Sequence, residues 1–321
     1  MIAVTAGLGL PASTTIVEVG LRDGLQAVPD PILSTEAKVE VVEALIAAGV
    51  RQIEAVSFAH PRVLPQLADA EAVMARVPRQ EGLVYRGLLP NARAAERAAA
   101  CGLDEFVAVI SADDEVSRRN QQRSTTELLV ELDTIASLAS DAGSRLLVGI
   151  ACAFFAPARG PVPWGETERV LDASVTAGAT GVYLACTSGM EDPVAVAAGV
   201  ARARARHPGL SVGVHLHNRN GFAPANAVAA LGAGADWLES AFGGLGGDMW
   251  FPGDPSVLGN YPTEDLIALT DAIGVATGID LDRYLDVVRL TSALTRRAPV
   301  SFVTRGGTRG ALADASWPAP A

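Results

Sequence analysis

At 321 residues the chain is long enough to bury one large core, so a single domain with a small appendage is the economical reading. It carries 25 basic and 36 acidic residues, a formal charge of −11 and no basic block, which argues against a nucleic-acid partner. Three cysteines, Cys101, Cys152 and Cys186, have no CxxC spacing and cannot all pair, which suits a reducing, cytoplasmic compartment. The longest hydrophobic runs are too short to span a bilayer, and the N-terminal stretch lacks a cationic leader, so no membrane partner is expected.

Residues 1–14 read as a loose N-terminal extension. IVEVG (16–20) is a buried strand, followed at once by LRDGLQ (21–26). The periodic stretch 35–48 predicts a helix capped by Ser34 or Thr35 and closed by Gly49. QIEAVSF (52–58) is the second strand, and a helix is expected from Pro61 to about Val77, with Pro65 in its first turn or marking a restart. GLVYRGLL (82–89) and DEFVAVIS (104–111) are strands three and four, with a short helix at 92–101 between them. DDEVSRRNQQRS (113–124) reads as a polar loop, ahead of a helix reaching about Ala142 and a fifth strand, RLLVGIACAF (145–154). The loop APARGPVPW leads to a helix ending near Ala177, and GVYLACT (181–187) is strand six. A helix over 192–206, strand seven SVGVHLHN (211–218), a helix over 223–234 and strand eight DWLESAF (236–242) complete the alternation.

Apolar strands that alternate with helical patterns and read apolar on both faces are buried parallel strands. Eight of them predict an α/β fold, a (β/α)8 TIM barrel over 15–262. An open doubly wound sheet is the competitor, but no GxGxxG follows strand one and the last strands would have no place in it. Residues 263–321 hold at least two more helices, expected to pack on the barrel.

Barrel chemistry sits at the C-terminal ends of the strands. Strand one brings Arg22 and Asp23 there, strand two Glu54, Ser57 and His60, and strand six Cys186, Thr187 and Ser188. Strand seven brings His215, His217, Asn218 and Arg219, and strand eight Glu239 and the glycine-rich loop 243–260. Two imidazoles at i and i+2 share one side of a strand; two ordinary polar residues at a strand exit would give the same pattern. Asp23 with His215 and His217 makes a two-histidine, one-carboxylate set suited to Mg²⁺, Mn²⁺ or Zn²⁺. Asp23 also fits a DG turn, and Arg22 a surface ion pair. Glu54 lies inside a strand, where a carboxylate needs a partner or a proton. The loop after strand eight reads either as a lid, with Trp250 and Phe251 to exclude water, or as a plain connector.

The strings VEVGLRDGLQ, IEAVSFAHPRVLPQLAD, SRRN, HLHNRNG, GGLGG and GNYPTEDL carry a resemblance. From about Ile16 to Leu266 the chain resembles the 3-hydroxy-3-methylglutaryl-CoA lyase branch of the DRE-TIM metallolyases. The resemblance implies metal ligands at Asp23, His215, His217 and Asn260, with Mg²⁺ or Mn²⁺ foremost and Zn²⁺ an option. It implies that Arg22 steadies the substrate carbonyl and the enolate, with Glu54 and Gln26 in the same polar shell. The implied reaction is retro-aldol cleavage of a 3-hydroxyacyl-CoA to acetyl-CoA and a keto compound.

Several positions depart from that pattern. Cys186, in ACTSG, stands where the lyases carry the aspartate of a DTxG motif, and Asp248 follows GGLGG where they carry a cysteine. A reciprocal exchange, with the carboxylate on the loop and the thiol on the strand, is one reading; drift with a changed substrate is the other. The loop is three positions longer than in the usual lyase, since twelve separate Asp248 from Asn260. HLHN replaces HxHD, Arg219 adds a cation able to bind a carboxylate, and His60 stands where the lyases have a small residue. The expectation is a cytoplasmic, homodimeric, metal-dependent lyase acting on an acyl-CoA thioester. Arg22, Asp248, Glu54 and Cys186 are its expected catalytic residues, and Gln26, His60, Arg219 and Trp250 its substrate contacts. An aldolase or condensing enzyme acting on a non-CoA hydroxy acid and a non-catalytic metal-binding descendant remain alternatives, the second because the strand-six aspartate is missing.

Overall fold

In the computed structural model, which describes residues 9–247, 251–252 and 258–317, the eight strands close into one ring. They are β1 (Thr15–Glu18), β2 (Gln52–Ser57), β3 (Val84–Leu89), β4 (Glu105–Ser111), β5 (Arg145–Ala151), β6 (Gly181–Cys186), β7 (Ser211–Leu216) and β8 (Trp237–Ser240). Each pairs in parallel with the next, and β8 returns to β1 with Glu18 opposite Ser240, so the ring has no edge. The fold is the predicted (β/α)8 barrel.

Side-chain alternation divides each strand between two cores. Tyr183 and Ala185 on β6 point into the barrel, where they meet Val17, Val107, Leu147 and Trp237. Val182, Leu184 and Cys186 point outward into the much larger layer under the helices. At roughly 25 cal/mol per Å² of apolar area, that outer layer dominates the hydrophobic stabilisation.

The helices begin where the sequence supplies caps. Ser34 accepts the Ala37 amide at 3.2 Å and opens α1 (Thr35–Ala47). The helix expected from Pro61 is mostly absent. Proline at 65 opens only a short 3-10 turn at Pro65–Leu67, and the chain restarts as α2 (Ala70–Met74). Asn91 caps α3 (Ala92–Ala98). The expected polar loop at 113–124 instead contains a helix, α4 (Asp114–Gln121). Asp113 caps it through the Val116 amide at 2.9 Å, and Asp114–Arg118 and Glu115–Arg119 pair along its face. High polarity concealed these helical signals, because a helix this exposed needs almost no apolar stripe. It ends at Gln122, whose φ of 58° turns the chain into α5 (Thr125–Asp141), opened by a capping box between Ser124 and Glu127.

After β5 a small antiparallel pair, Phe155–Ala156 with Gly160–Pro161, precedes α6 (Trp164–Thr176). Then come α7 (Pro193–Arg206), α8 (Ala223–Gly232), α9 (Thr263–Ile273), α10 (Leu281–Thr295), α11 (Phe302–Gly306) and α12 (Arg309–Ala313). α10 reaches the barrel through Tyr284, whose hydroxyl donates to the buried Glu18 carboxylate of β1. Among the described residues no helix is long and apolar enough to cross a membrane.

Candidate active site

The site starts at a wide turn after β1. The amides of Arg22, Asp23 and Gly24 all donate to the Val19 carbonyl, at 3.1, 2.7 and 3.3 Å, in a π-helical turn over Gly20–Gly24. The turn requires glycine at 20, where a Cβ would lie 2.4 Å from the Phe242 ring and 2.6 Å from Glu18 Oε1. It turns Arg22 and Asp23 into the barrel mouth, both buried. Arg22 pairs with Asp23 through one terminal nitrogen and with Glu54 through the other, at 2.8 Å. The Glu54 contact is an ion pair without directed hydrogen-bond geometry, and Arg22 Nε has no partner among the described residues.

β7 places His215 and His217 against Asp23. Their Nε2 atoms lie 3.9 and 3.7 Å from Asp23 Oδ2. Each imidazole is oriented through its other nitrogen: His215 Nδ1 meets Glu239 Oε2 at 3.0 Å, and His217 Nδ1 meets the Leu258 carbonyl at 3.2 Å. These contacts favour Nδ1–H tautomers with Nε2 lone pairs directed at one point, as in protein metal sites. The donor atoms of Asp23, His215 and His217 lie within 4.8 Å of one another, a spacing that suits a divalent ion.

Asn260, 237 residues from Asp23, reaches the same point because its segment runs antiparallel to the end of β7. The Asn218 amide donates to the Gly259 carbonyl at 2.9 Å, and the Tyr261 amide to the Leu216 carbonyl at 2.7 Å. Asn260 Nδ2 donates to Asp23 Oδ2 at 2.6 Å and to the Leu245 carbonyl at 2.9 Å, leaving Oδ1 buried without a partner among the described residues. An orphaned carbonyl oxygen beside two imidazoles and a carboxylate completes a mixed N/O donor set, so these residues fit a divalent cation.

The electrostatics follow from burial and charge. Burial works to raise the Asp23 carboxyl, but Arg22, both histidines and the Asn260 amide outweigh it and hold it well below the usual range. Burial and the neighbouring His215 lower His217 to about 4, keeping it neutral. Burial also works against protonated His215, but the hydrogen bond to Glu239 and the charges of Asp23 and Glu239 leave it raised. Glu54 is raised, chiefly by burial.

A cavity of about 310 Å³ opens above this cluster. Arg22, Asp23, Gln26, His60, His215 and His217 line it, so the structure brings these predicted residues together. One other expectation needs correction. Cys186 does not face the cavity: strand alternation turns it outward, fully buried, with the Asn226 amide 4.0 Å from its sulfur. Its expected catalytic place is taken on the inward face by Ala185 and Thr187. Arg219 borders a neighbouring cleft along Gly243–Gly247 and donates to the Pro252 carbonyl at 3.4 Å. The chain has already left the barrel axis there, with the Arg219 backbone packed against Gly189. The expected roles of Asp248 and Trp250 fall outside the described residues.

Sequence reasoning missed Tyr183, which lines the cavity with its ring centroid 5.7 Å from that of His215. The signal was available: in GVYLACT, Tyr183 shares a face with Ala185 and Thr187, not with Cys186. Glu239 was placed at a strand end, but its link to His215 required the β7–β8 register, which sets the two opposite each other.

The family model described as HMGL-like matches residues 13–291. The chain is 36% identical over 305 residues to an (R)-citramalyl-CoA lyase of Chloroflexus aurantiacus, covering 92% of this chain and 95% of that protein. It is 33% identical over 279 residues to a hydroxymethylglutaryl-CoA lyase of Bacillus subtilis, covering 87% and 92%. Among solved structures, an HMG-CoA lyase of Acinetobacter baumannii in complex with coenzyme A and 3-methylmalate superposes with a TM-score of 0.88 at 30% identity, covering 96% of this chain and 98% of that one.

Proposed function

The chain belongs to the HMGL-like family, and from that premise we propose that it is a metal-dependent carbon–carbon lyase cleaving a 3-hydroxyacyl-CoA related to 3-hydroxy-3-methylglutaryl-CoA. The products are acetyl-CoA and a keto acid. The observation that carries the reading is the convergence of Asp23, His215 and His217 beside Arg22 at one end of the cavity. The lyase relatives support the reaction class, and the coenzyme A complex of the Acinetobacter baumannii lyase supports a thioester substrate.

Asp23, His215, His217 and Asn260 would hold the cation, Mg²⁺ or Mn²⁺ by the oxygen share of the donor set. When bound, such an ion supplies Lewis-acid polarisation of an oxygen-bearing substrate. In the reaction the C3 hydroxyl loses its proton, the C2–C3 bond breaks, and its electron pair passes to the thioester as an enolate. C3 becomes a carbonyl, and the enolate takes one proton at C2, so no oxidant or reductant is needed. Arg22 stabilises the developing enolate charge; its Nε, without a partner among the described residues, is a donor already held in place by Asp23 and Glu54. The neutral His217 keeps its Nε2 lone pair for ligation, and Glu239 orients His215 toward the same point. Asp248, next in the chain to the cavity-lining Gly247, is our assignment for proton transfer. The odd, CxxC-free cysteine set supports a cytoplasmic location. A homodimer is part of the same proposal and would be checked by sedimentation velocity.

The test is acetyl-CoA release from 3-hydroxy-3-methylglutaryl-CoA and citramalyl-CoA, before and after chelation and on readdition of Mg²⁺ or Mn²⁺. Metal-dependent release that disappears in Asp23→Ala and His215→Ala is expected. A wild type that binds the ion but cleaves neither thioester would sink the reading.

A further inference from the structure

We infer that the Tyr183 ring is the floor of the acyl pocket and gauges the arm on C3 of the substrate, favouring a carboxylate attached directly to C3 over one carried on an added methylene. The inference rests on the lyase reading above and adds a length preference to it.

Tyr183 points inward from β6, 3% exposed, with glycine opposite it on both neighbouring strands: Gly149 on β5 and Gly213 on β7. Both glycines are needed for space. A Cβ at Gly149 would lie 2.2 Å from Tyr183 Cζ and 2.3 Å from its hydroxyl oxygen. A Cβ at Gly213 would lie 2.1 Å from the Trp237 indole, the next large ring in the barrel core. Tyr183 belongs to the same apolar cluster as Trp237, Leu147 and Val107, so this packing fixes the ring from below. Small side chains stand around it: Ala151 and Ala185 line the cavity with Tyr183. On β6 Tyr183 is the large inward side chain, between Gly181 and Ala185, so its ring bounds the cavity from that strand.

The phenol also has a free polar end. Its hydroxyl makes no hydrogen bond to any described residue, although Arg22, Asp23, Glu54 and Glu239 all act on it electrostatically. A phenol is protonated at neutral pH, so it serves there as a donor or a neutral acceptor. A substrate anchored by its C3 oxygen beside His215 brings the acid arm of C3 to this hydroxyl within a few bonds. An arm with one more methylene must bend away from the ring or displace it.

The experiment compares kcat/KM for citramalyl-CoA, whose carboxylate is on C3, with that for 3-hydroxy-3-methylglutaryl-CoA, whose carboxylate is one methylene further out. Wild type, Tyr183→Phe, Tyr183→Ala and Gly149→Leu/Tyr183→Ala would be used, with thermal midpoints to verify folding. The wild-type ratio should favour the shorter arm by about 10-fold or more, the usual value of one methylene in a tight pocket. Tyr183→Phe should raise KM for citramalyl-CoA about 10-fold through the lost donor and leave that for the longer arm nearly unchanged. Tyr183→Ala should shift the ratio toward the longer arm by about 10-fold, and refilling the floor in the double variant should return it. Equal wild-type cleavage of both thioesters overturns the inference without any variant, as does an unchanged ratio in folded Tyr183→Ala. A wild type inactive on both removes the lyase reading and this inference together.

Discussion

Glu239 Oε2 lies 3.0 Å from Nδ1 of His215, while Oε1 accepts from Arg86 and from the Trp237 indole, each at 2.9 Å. One carboxylate thus joins the His215 imidazole to the ion pairs deep in the barrel, where Arg86 also meets Glu105 and Gln52. Burial works to raise this carboxyl, but the His215 hydrogen bond and the Arg86 charge outweigh it and keep it lowered. Glu239 therefore stays ionised and holds His215 in the tautomer that offers Nε2.

Removing that charge should loosen the metal before it damages the fold. Glu239→Gln keeps the shape of the side chain but can present its amide nitrogen to His215, favouring the wrong tautomer. Divalent-cation affinity should fall about 10- to 100-fold by calorimetric titration. An unchanged affinity would show that the orientation of His215 does not depend on this carboxylate.

Asp248 is assigned to proton transfer, whereas Asp23 is assigned to the metal, so their variants should separate. Asp248→Asn should lower kcat by about 10²- to 10⁴-fold and leave cation affinity as it was. Loss of cation binding in Asp248→Asn would instead assign this carboxylate to ligation.

Cys186 packs behind β6, so its replacement should affect stability and not chemistry. Cys186→Ala should lower the thermal midpoint by a few degrees, through a loss of about 1–2 kcal/mol, and keep kcat/KM within about twofold. A large fall in kcat with a normal midpoint would return the thiol to the catalytic set.

Glu18 couples the fold to pH. Its Oε1 accepts the amides of Gly20 and Phe242, at 2.7 and 3.0 Å, so it braces both the Asp23 turn and the start of the glycine loop. Burial pushes its carboxyl from 4.5 to about 7, against the four hydrogen bonds it accepts. The folded state therefore holds this proton more tightly than the unfolded chain. Its stabilising contribution is complete below pH 4.5 and is lost as pH rises through about 7. Compared with Glu18→Gln, wild type should lose stability across that window, on the order of 3 kcal/mol in total, as read by denaturant midpoints at successive pH values. A parallel pH profile for the two proteins would contradict the buried proton.

The sequence by itself determined the barrel and most of the donor set. Eight apolar runs separated by helical periodicity leave few closed arrangements, and strand ends are where a barrel exposes polar side chains. Asp23, His215 and His217 were legible for that reason, since each follows directly from a strand end. The tertiary structure decided what depends on register and on the paths of connections. Strand alternation sends Cys186 outward and Tyr183 inward, a choice of phase that shifts by one whole face with a one-residue slip. Asn260 was nameable only by resemblance; its place beside Asp23 comes from a backbone pairing between residues 258–261 and the end of β7, which no local pattern encodes. The pairing of Glu239 with His215, and of Gly149 with Tyr183, likewise exists only once neighbouring strands are set in register, because side chains on different strands meet through space and not along the chain.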